Sequence, residues 1–130
     1  MNSKMQSPLS RVRYLGSAKE GATHWWWQRI TALMLLPLAL WFIASIWSIV
    51  IAGASYEKFV TWLKEPISAI LMLVFVGAML FHTKLGLQVV IEDYVHVKWL
   101  KWTLITKLTI GIILLFAISV FSIISISLKV

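Results

Sequence analysis

His82 lies inside a long apolar segment that begins at Ile67, where an ionisable side chain is costly unless something binds it. On a helix, Ala78 and Gly86 lie on the same face, one turn before and one turn after the histidine. Small neighbours of this kind leave room for a flat macrocycle, as an axial haem ligand requires. They suit equally well an imidazole that hydrogen-bonds across a helix interface, where small residues serve packing. The residues alone leave both interpretations open.

Three more polar side chains lie where apolar segments meet water. The planar guanidinium of Arg29 could pair with a haem propionate or a quinone carbonyl, although contact with a lipid headgroup explains it as well. Tyr94 follows His82 by about 18 Å if the chain is helical throughout. Its phenol could donate a hydrogen bond to a quinone oxygen while Asp93 relays protons, or it could be a simple interfacial anchor. His24 is interpreted as a surface group that could also line a site.

Composition predicts an integral membrane protein. The 130 residues are 60% apolar and 13% charged, and the mean hydropathy is +0.86. A water-soluble domain of this size could not bury so much apolar surface, so we expect an all-α membrane protein. The net charge of +7 comes from basic residues beside apolar segments, where they contact membrane lipid, and no nucleic-acid partner is expected. The absence of cysteine excludes thiolate metal sites.

The apolar pattern divides the chain into two parts. Residues 1–29 are predicted to be a basic N-terminal arm that ends in an interfacial aromatic belt, Trp25 to Trp27. Residues 30–128 are predicted to form a transmembrane anchor, and the loop at about 54–65 to contain a turn or two of interfacial helix. The three spans are expected at about 30–53, 66–91 and 104–128.

The distribution of lysine and arginine predicts the orientation. These residues are concentrated in the N-terminal arm and around the second loop, whereas the first loop and the C-terminus carry few. The positive-inside rule therefore predicts a cytoplasmic N-terminus and second loop, with the C-terminus outside. We expect a multi-pass protein of the bacterial inner membrane; the mitochondrial inner membrane is less favoured.

Two motifs resemble the family of succinate dehydrogenase hydrophobic membrane anchor subunits, the smaller anchors of respiratory complex II. The motif that is similar to the family's second helix is His82-x-x-x-Gly86-x-Gln88-Val-x-x-x-Asp93-Tyr94. The motif that is similar to the start of its first helix is Gly16-Ser-Ala followed by Gly21-x-x-His24-x-x-x-x-Arg29-x-Thr31-Ala32. The three spans also agree in order and length. One departure is Trp25-Trp-Trp-Gln28, which is bulkier than the family pattern.

The resemblance implies a set of cofactors and partners. Haem b would lie between two anchor subunits, with one histidine from each, and His82 would be this chain's ligand to the haem iron. Tyr94 and Asp93 would belong to a ubiquinone site beneath the iron–sulfur subunit, and Arg29 would lie near the haem propionates. The partners would be a cytochrome b anchor subunit, the iron–sulfur subunit and the flavoprotein subunit. Succinate oxidation, which joins the tricarboxylic acid cycle to electron transport, would then occur in partner subunits. This chain would supply no catalytic residue and would form part of a multi-subunit helical bundle.

Two alternatives remain open from the sequence. The nearest is an anchor of quinol:fumarate reductase, because the direction of electron flow depends on potentials and on the quinone. The other is a small membrane transporter or assembly protein in which His82 and Lys84 serve the passage of substrate or protons.

Overall fold

Four α-helices and their short connections make up the described part of the chain, in which no strand is found. The computed structural model describes the backbone of residues 18–128 and the side chains of residues 22–128. In chain order the helices are α1 (Ala18–Ile51), α2 (Tyr56–Lys64), α3 (Pro66–Tyr94) and α4 (Lys98–Ser127). The prediction of an all-α fold is confirmed. The predicted N-terminal arm lies, up to residue 17, outside the described residues.

The helices α1, α3 and α4 are each long and apolar enough to cross a membrane. A helix suits this environment because it satisfies its own backbone hydrogen bonds. The three helices contain 34, 29 and 30 residues, and at about 1.5 Å per residue each exceeds a hydrocarbon layer of about 30 Å. Compared with the predicted spans, α1 starts earlier, α3 ends later and α4 starts earlier. All three extensions are on the same side, which is the side predicted to face the cytoplasm.

The first helix begins within the stretch predicted to be an arm. His24, Arg29 and the three tryptophans between them therefore lie on α1 and share its geometry. The helix α1 continues through Gly21. A glycine inside a helix costs only about 1 kcal/mol, and the alanine, lysine and glutamate beside it are good helix formers.

A short, well-capped turn connects α1 to α3. Gly53 takes a positive φ of 83°, which reverses the chain after α1. The Ser55 side chain accepts a hydrogen bond from the Lys58 backbone N–H and caps α2. The Lys58 ammonium in turn donates to the carbonyl oxygens of Ala52 and Gly53, the two residues that follow α1. The prediction of a short helix in this loop is confirmed.

The third helix is the centre of the packing, with α1 against one side and α4 against the other. Gly77 allows α3 and α4 to approach closely, because a Cβ there would lie 3.3 Å from the Phe116 ring. The Lys101 ammonium donates to the Glu92 carbonyl oxygen at 3.0 Å and joins the start of α4 to the end of α3. Both neighbours run antiparallel to α3, so the start of α1 lies beside its C-terminal half.

Most large apolar side chains remain exposed in the isolated chain. The small buried core lies at the opposite end from His82 and contains Leu63, Ala69 and Ile123. Beside it the rings of Trp41 and Trp62 stack at 5.7 Å, joining α1 to α2. So much exposed apolar surface on helices of membrane-spanning length is suited to lipid and to neighbouring helices.

Candidate functional site

The His82 side chain is joined to α1 by a hydrogen bond. Its Nδ1 atom lies 2.9 Å from Oγ1 of Thr31, although the two residues are 51 positions apart in the sequence. Thr31 is only 5% exposed, whereas the imidazole is half-buried. Next to this contact the rings of Trp27 and Phe81 meet edge to face at 6.2 Å. The buried hydroxyl and the aromatic contact together hold His82 against the first turns of α1.

A polar face of α1 continues from Thr31 towards the start of the helix. Gln28 and His24 lie one and two turns before Thr31 on the same face. Opposite Gln28 on α3 is Gly86, where an added Cβ would lie 4.0 Å from the Gln28 side-chain nitrogen. The Gln28 side chain of α1 therefore lies beside the space that Gly86 leaves on α3. The small residue that was interpreted as clearance for a macrocycle also allows these two helices to pack.

His24 has a buried nitrogen without a hydrogen-bond partner. Its Nε2 atom is enclosed, and no other described residue offers it a donor or an acceptor. A buried polar nitrogen without a partner is uncommon in folded proteins and calls for an explanation. His24 was interpreted from the sequence mainly as a surface group, and the structure gives more weight to the alternative that it lines a site.

Arg29 lies on a different side of α1 and is exposed. Its guanidinium carbon lies 4.3 Å from the centre of the Trp25 ring, in a cation–π contact. Such a contact at an exposed position contributes about 0.5–1 kcal/mol. This contact energy is small enough for the guanidinium to leave Trp25 when a carboxylate partner is within reach.

Tyr94 is the last residue of α3, and its side chain is 79% exposed. Asp93 beside it is exposed as well. One turn earlier, the Gln88 side-chain amide donates to the Glu92 carboxylate at 2.8 Å. The phenol and the Asp93 carboxylate thus lie at the end of the helix that carries His82, available to another molecule.

The structure connects His82 to α1 but does not join all four predicted site residues. Within the described residues, no hydrogen bond or ion pair links Arg29, Asp93 or Tyr94 to His82. The residue that the sequence interpretation missed is Thr31, which had no role there beyond its place in the motif at the start of the first helix. One signal was present: His24, Gln28 and Thr31 are spaced as one polar face on an otherwise apolar helix.

The arrangement around His82 can present a single nitrogen ligand. In the described part of the chain, no group of three or more histidine, aspartate or glutamate side chains gathers into a metal site. A single imidazole suits a metal whose other positions are filled by a macrocycle and by a second protein.

Comparison with known proteins identifies the family. The family model for the succinate dehydrogenase/fumarate reductase transmembrane subunit matches residues 3–126. The succinate dehydrogenase hydrophobic membrane anchor subunit of Rickettsia bellii (strain RML369-C) is 36% identical over 105 residues, which cover 81% of this chain and 82% of that protein. The subunit of the same name from Paracoccus denitrificans is 30% identical over 91 residues, 68% of this chain and 67% of that protein. The succinate dehydrogenase membrane anchor subunit of Reclinomonas americana is 31% identical over 80 residues, 60% of this chain and 66% of that protein.

No solved structure matches the chain significantly. The chain belongs to the succinate dehydrogenase/fumarate reductase transmembrane subunit family, among the hydrophobic membrane anchor subunits of succinate dehydrogenase.

Proposed function

We propose that this membrane anchor of succinate dehydrogenase binds haem b together with a second anchor subunit and forms part of the site where ubiquinone is reduced. His82 is the haem ligand contributed by this chain, and Tyr94 and Asp93 belong to the quinone site. The observation that carries the proposal is the contact between His82 Nδ1 and Thr31, which fixes the imidazole at a helix interface through one nitrogen only. The haem content of the purified complex, with and without His82, is the test.

The donor set around His82 fits a shared haem. The hydrogen bond uses Nδ1, and among the described residues the side chain makes no other hydrogen bond, so Nε2 is available to iron. A haem held here by His82 would take its second protein ligand from another chain, so the haem site would also be part of a subunit interface. When bound, the haem supplies a one-electron redox centre. The buried Nε2 of His24, on the same face of α1 as Thr31, has no partner among the described residues and is available to a group bound beside that face.

The end of α3 fits a quinone headgroup that reacts close to water. Reduction of ubiquinone to ubiquinol takes up two electrons and two protons, so a site near the membrane surface shortens the path of the protons. Tyr94 donates a hydrogen bond to a quinone oxygen from this position, and the Asp93 carboxylate exchanges protons with water. The electrons come from succinate through the flavoprotein and iron–sulfur partner subunits, while this chain positions the quinone.

We expect Arg29→Leu to lower haem retention or the rate of quinone reduction several-fold. The guanidinium can exchange its weak contact with Trp25 for a bidentate pair with a haem propionate or a hydrogen bond to a quinone carbonyl. Arg29→Lys is the matched control, because it keeps the charge and loses the planar fork. Haem per flavin and quinone reductase activity are measured in the same preparations. Unchanged values for Arg29→Leu would leave only a lipid headgroup contact for this residue.

The orientation proposed is a cytoplasmic N-terminus in a bacterial inner membrane. The extended ends of α1 and α4 lie on one side and contain Lys19, Arg29, Lys98 and Lys101, whereas the connection between α1 and α3 on the other side contains Lys58 and Lys64. The positive-inside rule assigns the more basic side to the cytoplasm. Alkaline phosphatase, which is active only outside the cytoplasm, should be active when it is fused after Leu128 and inactive when it is fused after His96. The reverse pattern would invert the topology and move the quinone site to the other face.

The similar proteins favour an anchor of succinate dehydrogenase over an anchor of fumarate reductase and over a transporter. The family description covers both succinate dehydrogenase and fumarate reductase, but the similar proteins are named as succinate dehydrogenase anchors. Membership of the family also leaves no observation in support of a transporter.

A further inference from the structure

The hydroxyl group of Thr31 lies close to three polar atoms at once. Its Oγ1 atom is 2.8 Å from the Trp27 carbonyl oxygen, 3.0 Å from the Gln28 carbonyl oxygen and 2.9 Å from His82 Nδ1. The first two contacts are hydrogen bonds of a kind that a threonine hydroxyl often donates to carbonyl oxygens one turn earlier in its own helix. The third reaches another helix, and the threonine is 95% shielded from solvent, which leaves little room for water to replace any of the three partners.

The number of hydrogens decides the direction of the contact with His82. A hydroxyl has one hydrogen to donate and two lone pairs that accept, whereas a carbonyl oxygen only accepts. With two carbonyl oxygens at 2.8 and 3.0 Å, the single hydroxyl hydrogen is directed to them, because an oxygen–oxygen contact without a hydrogen between is repulsive. The lone pairs of Oγ1 therefore remain for His82, and the hydrogen in that bond must come from Nδ1.

We propose that Thr31 is a positioning residue that selects the tautomer of His82. Its hydroxyl accepts a hydrogen bond from Nδ1–H of the imidazole, which leaves Nε2 without a proton and turned into the ligand nitrogen for the haem iron. The same hydrogen bond limits rotation of the ring and makes Nε2 more basic, since a donated Nδ1–H gives the imidazole part of the character of its anion. A more basic axial ligand favours ferric over ferrous haem.

This inference rests on the proposed haem ligand, but it concerns a different residue and has its own measurement. We expect Thr31→Val, which removes the hydroxyl and keeps the shape, to raise the haem midpoint potential. A threefold to tenfold weaker preference for the ferric state corresponds to about 30 to 60 mV, at about 59 mV per tenfold change for one electron. Haem affinity should fall by about tenfold or more, as it does when the hydrogen-bond partner of a metal-bound histidine is lost. Redox titration of the haem spectrum and the haem-to-flavin ratio measure these two effects without reference to turnover.

Two control variants isolate the hydroxyl of Thr31. Thr31→Ser keeps the acceptor and should retain the potential and haem content of the wild type. Thr103→Val makes the same substitution at an exposed threonine on α4, whose hydroxyl donates a hydrogen bond to the Trp99 carbonyl oxygen of its own helix at 2.8 Å. This variant should change neither the potential nor the haem content.

The possible outcomes separate this inference from the proposed function. A wild-type complex without haem would overturn both. Haem that depends on His82 but has the same potential and affinity in Thr31→Val as in the wild type would overturn the role of Thr31 alone. If Thr31→Val does not assemble, Thr31→Ala is measured in the same way. Failure of both to assemble while Thr31→Ser assembles fully would count against the proposal, because the hydroxyl would then serve the folding of the α1–α3 pair.

Discussion

Replacing His82 by alanine is expected to remove nearly all haem b from the assembled complex. The substitution deletes the nitrogen ligand that His82 offers in the contact between α1 and α3, and the small neighbours Ala78 and Gly86 on the same face of α3 offer no ligand in its place. A haem held by the partner's ligand alone would be weakly bound and would lose the spectrum of iron with two axial imidazoles. The measurement is haem per flavin, from reduced-minus-oxidised and pyridine haemochrome spectra of the purified complex.

A second histidine of the chain is the matched control for this substitution. His96 lies in the short connection between α3 and α4 and is exposed, so His96→Ala should keep a full complement of haem. Because flavin reports the partner subunits, normal flavin with absent haem in His82→Ala would separate loss of the cofactor from loss of assembly. Haem bound at the wild-type level in His82→Ala would show that other side chains hold it.

Replacing Tyr94 by phenylalanine is expected to lower succinate-dependent ubiquinone reduction by about a hundredfold while leaving the reduction of an artificial dye by succinate intact. The magnitude is that of a positioned proton donor, which contributes about 10²–10⁴-fold to a rate. Only the hydroxyl is removed, and a side chain that is 79% exposed at the end of α3 contributes little to packing within this chain. Electron delivery through the partner subunits should not change, because the dye accepts electrons before the quinone.

Tyr56 provides a close control for Tyr94. It is equally exposed, at 79%, and begins α2 at the other end of the transmembrane helices. Tyr56→Phe should change neither assay. A parallel fall of dye and quinone reduction in Tyr94→Phe would mean that the phenol supports assembly of the complex, and equal quinone activity in Tyr94→Phe and the wild type would remove it from the quinone site.

The helices could be predicted from the sequence because their apolar character is a property of consecutive residues. Three long, mainly apolar segments, each near the length of a hydrocarbon layer, permit few folds other than membrane helices. The helix ends were less predictable. Hydropathy indicates where the apolar segment ends, whereas α1 begins earlier, at Ala18, and includes Gly21. In that polar stretch, backbone hydrogen bonding and helix propensity decide where the helix starts.

The partner of His82 could not be predicted from the sequence, because it depends on how two antiparallel helices are aligned. The spacing around His82 indicated a functional imidazole and left two interpretations, a haem ligand and a hydrogen bond across a helix interface. The structure contains the hydrogen bond, between Nδ1 and the Thr31 hydroxyl on α1. Since an imidazole has two nitrogens, that bond does not compete with iron, and the two interpretations can both hold. A shift of one residue along α1 would have moved Thr31 away from His82 altogether.

The haem-to-flavin ratio of the native complex tests most directly whether His82 and a partner subunit hold a haem between them. The complex is purified in mild detergent, and haem, flavin and the low-temperature electron paramagnetic resonance spectrum are measured on one sample. We predict equimolar haem b and flavin, with the low-spin ferric spectrum of two axial histidines. A complex with full flavin and succinate oxidation but without haem, or with haem that is high-spin and lacks a second imidazole, would contradict the proposed site.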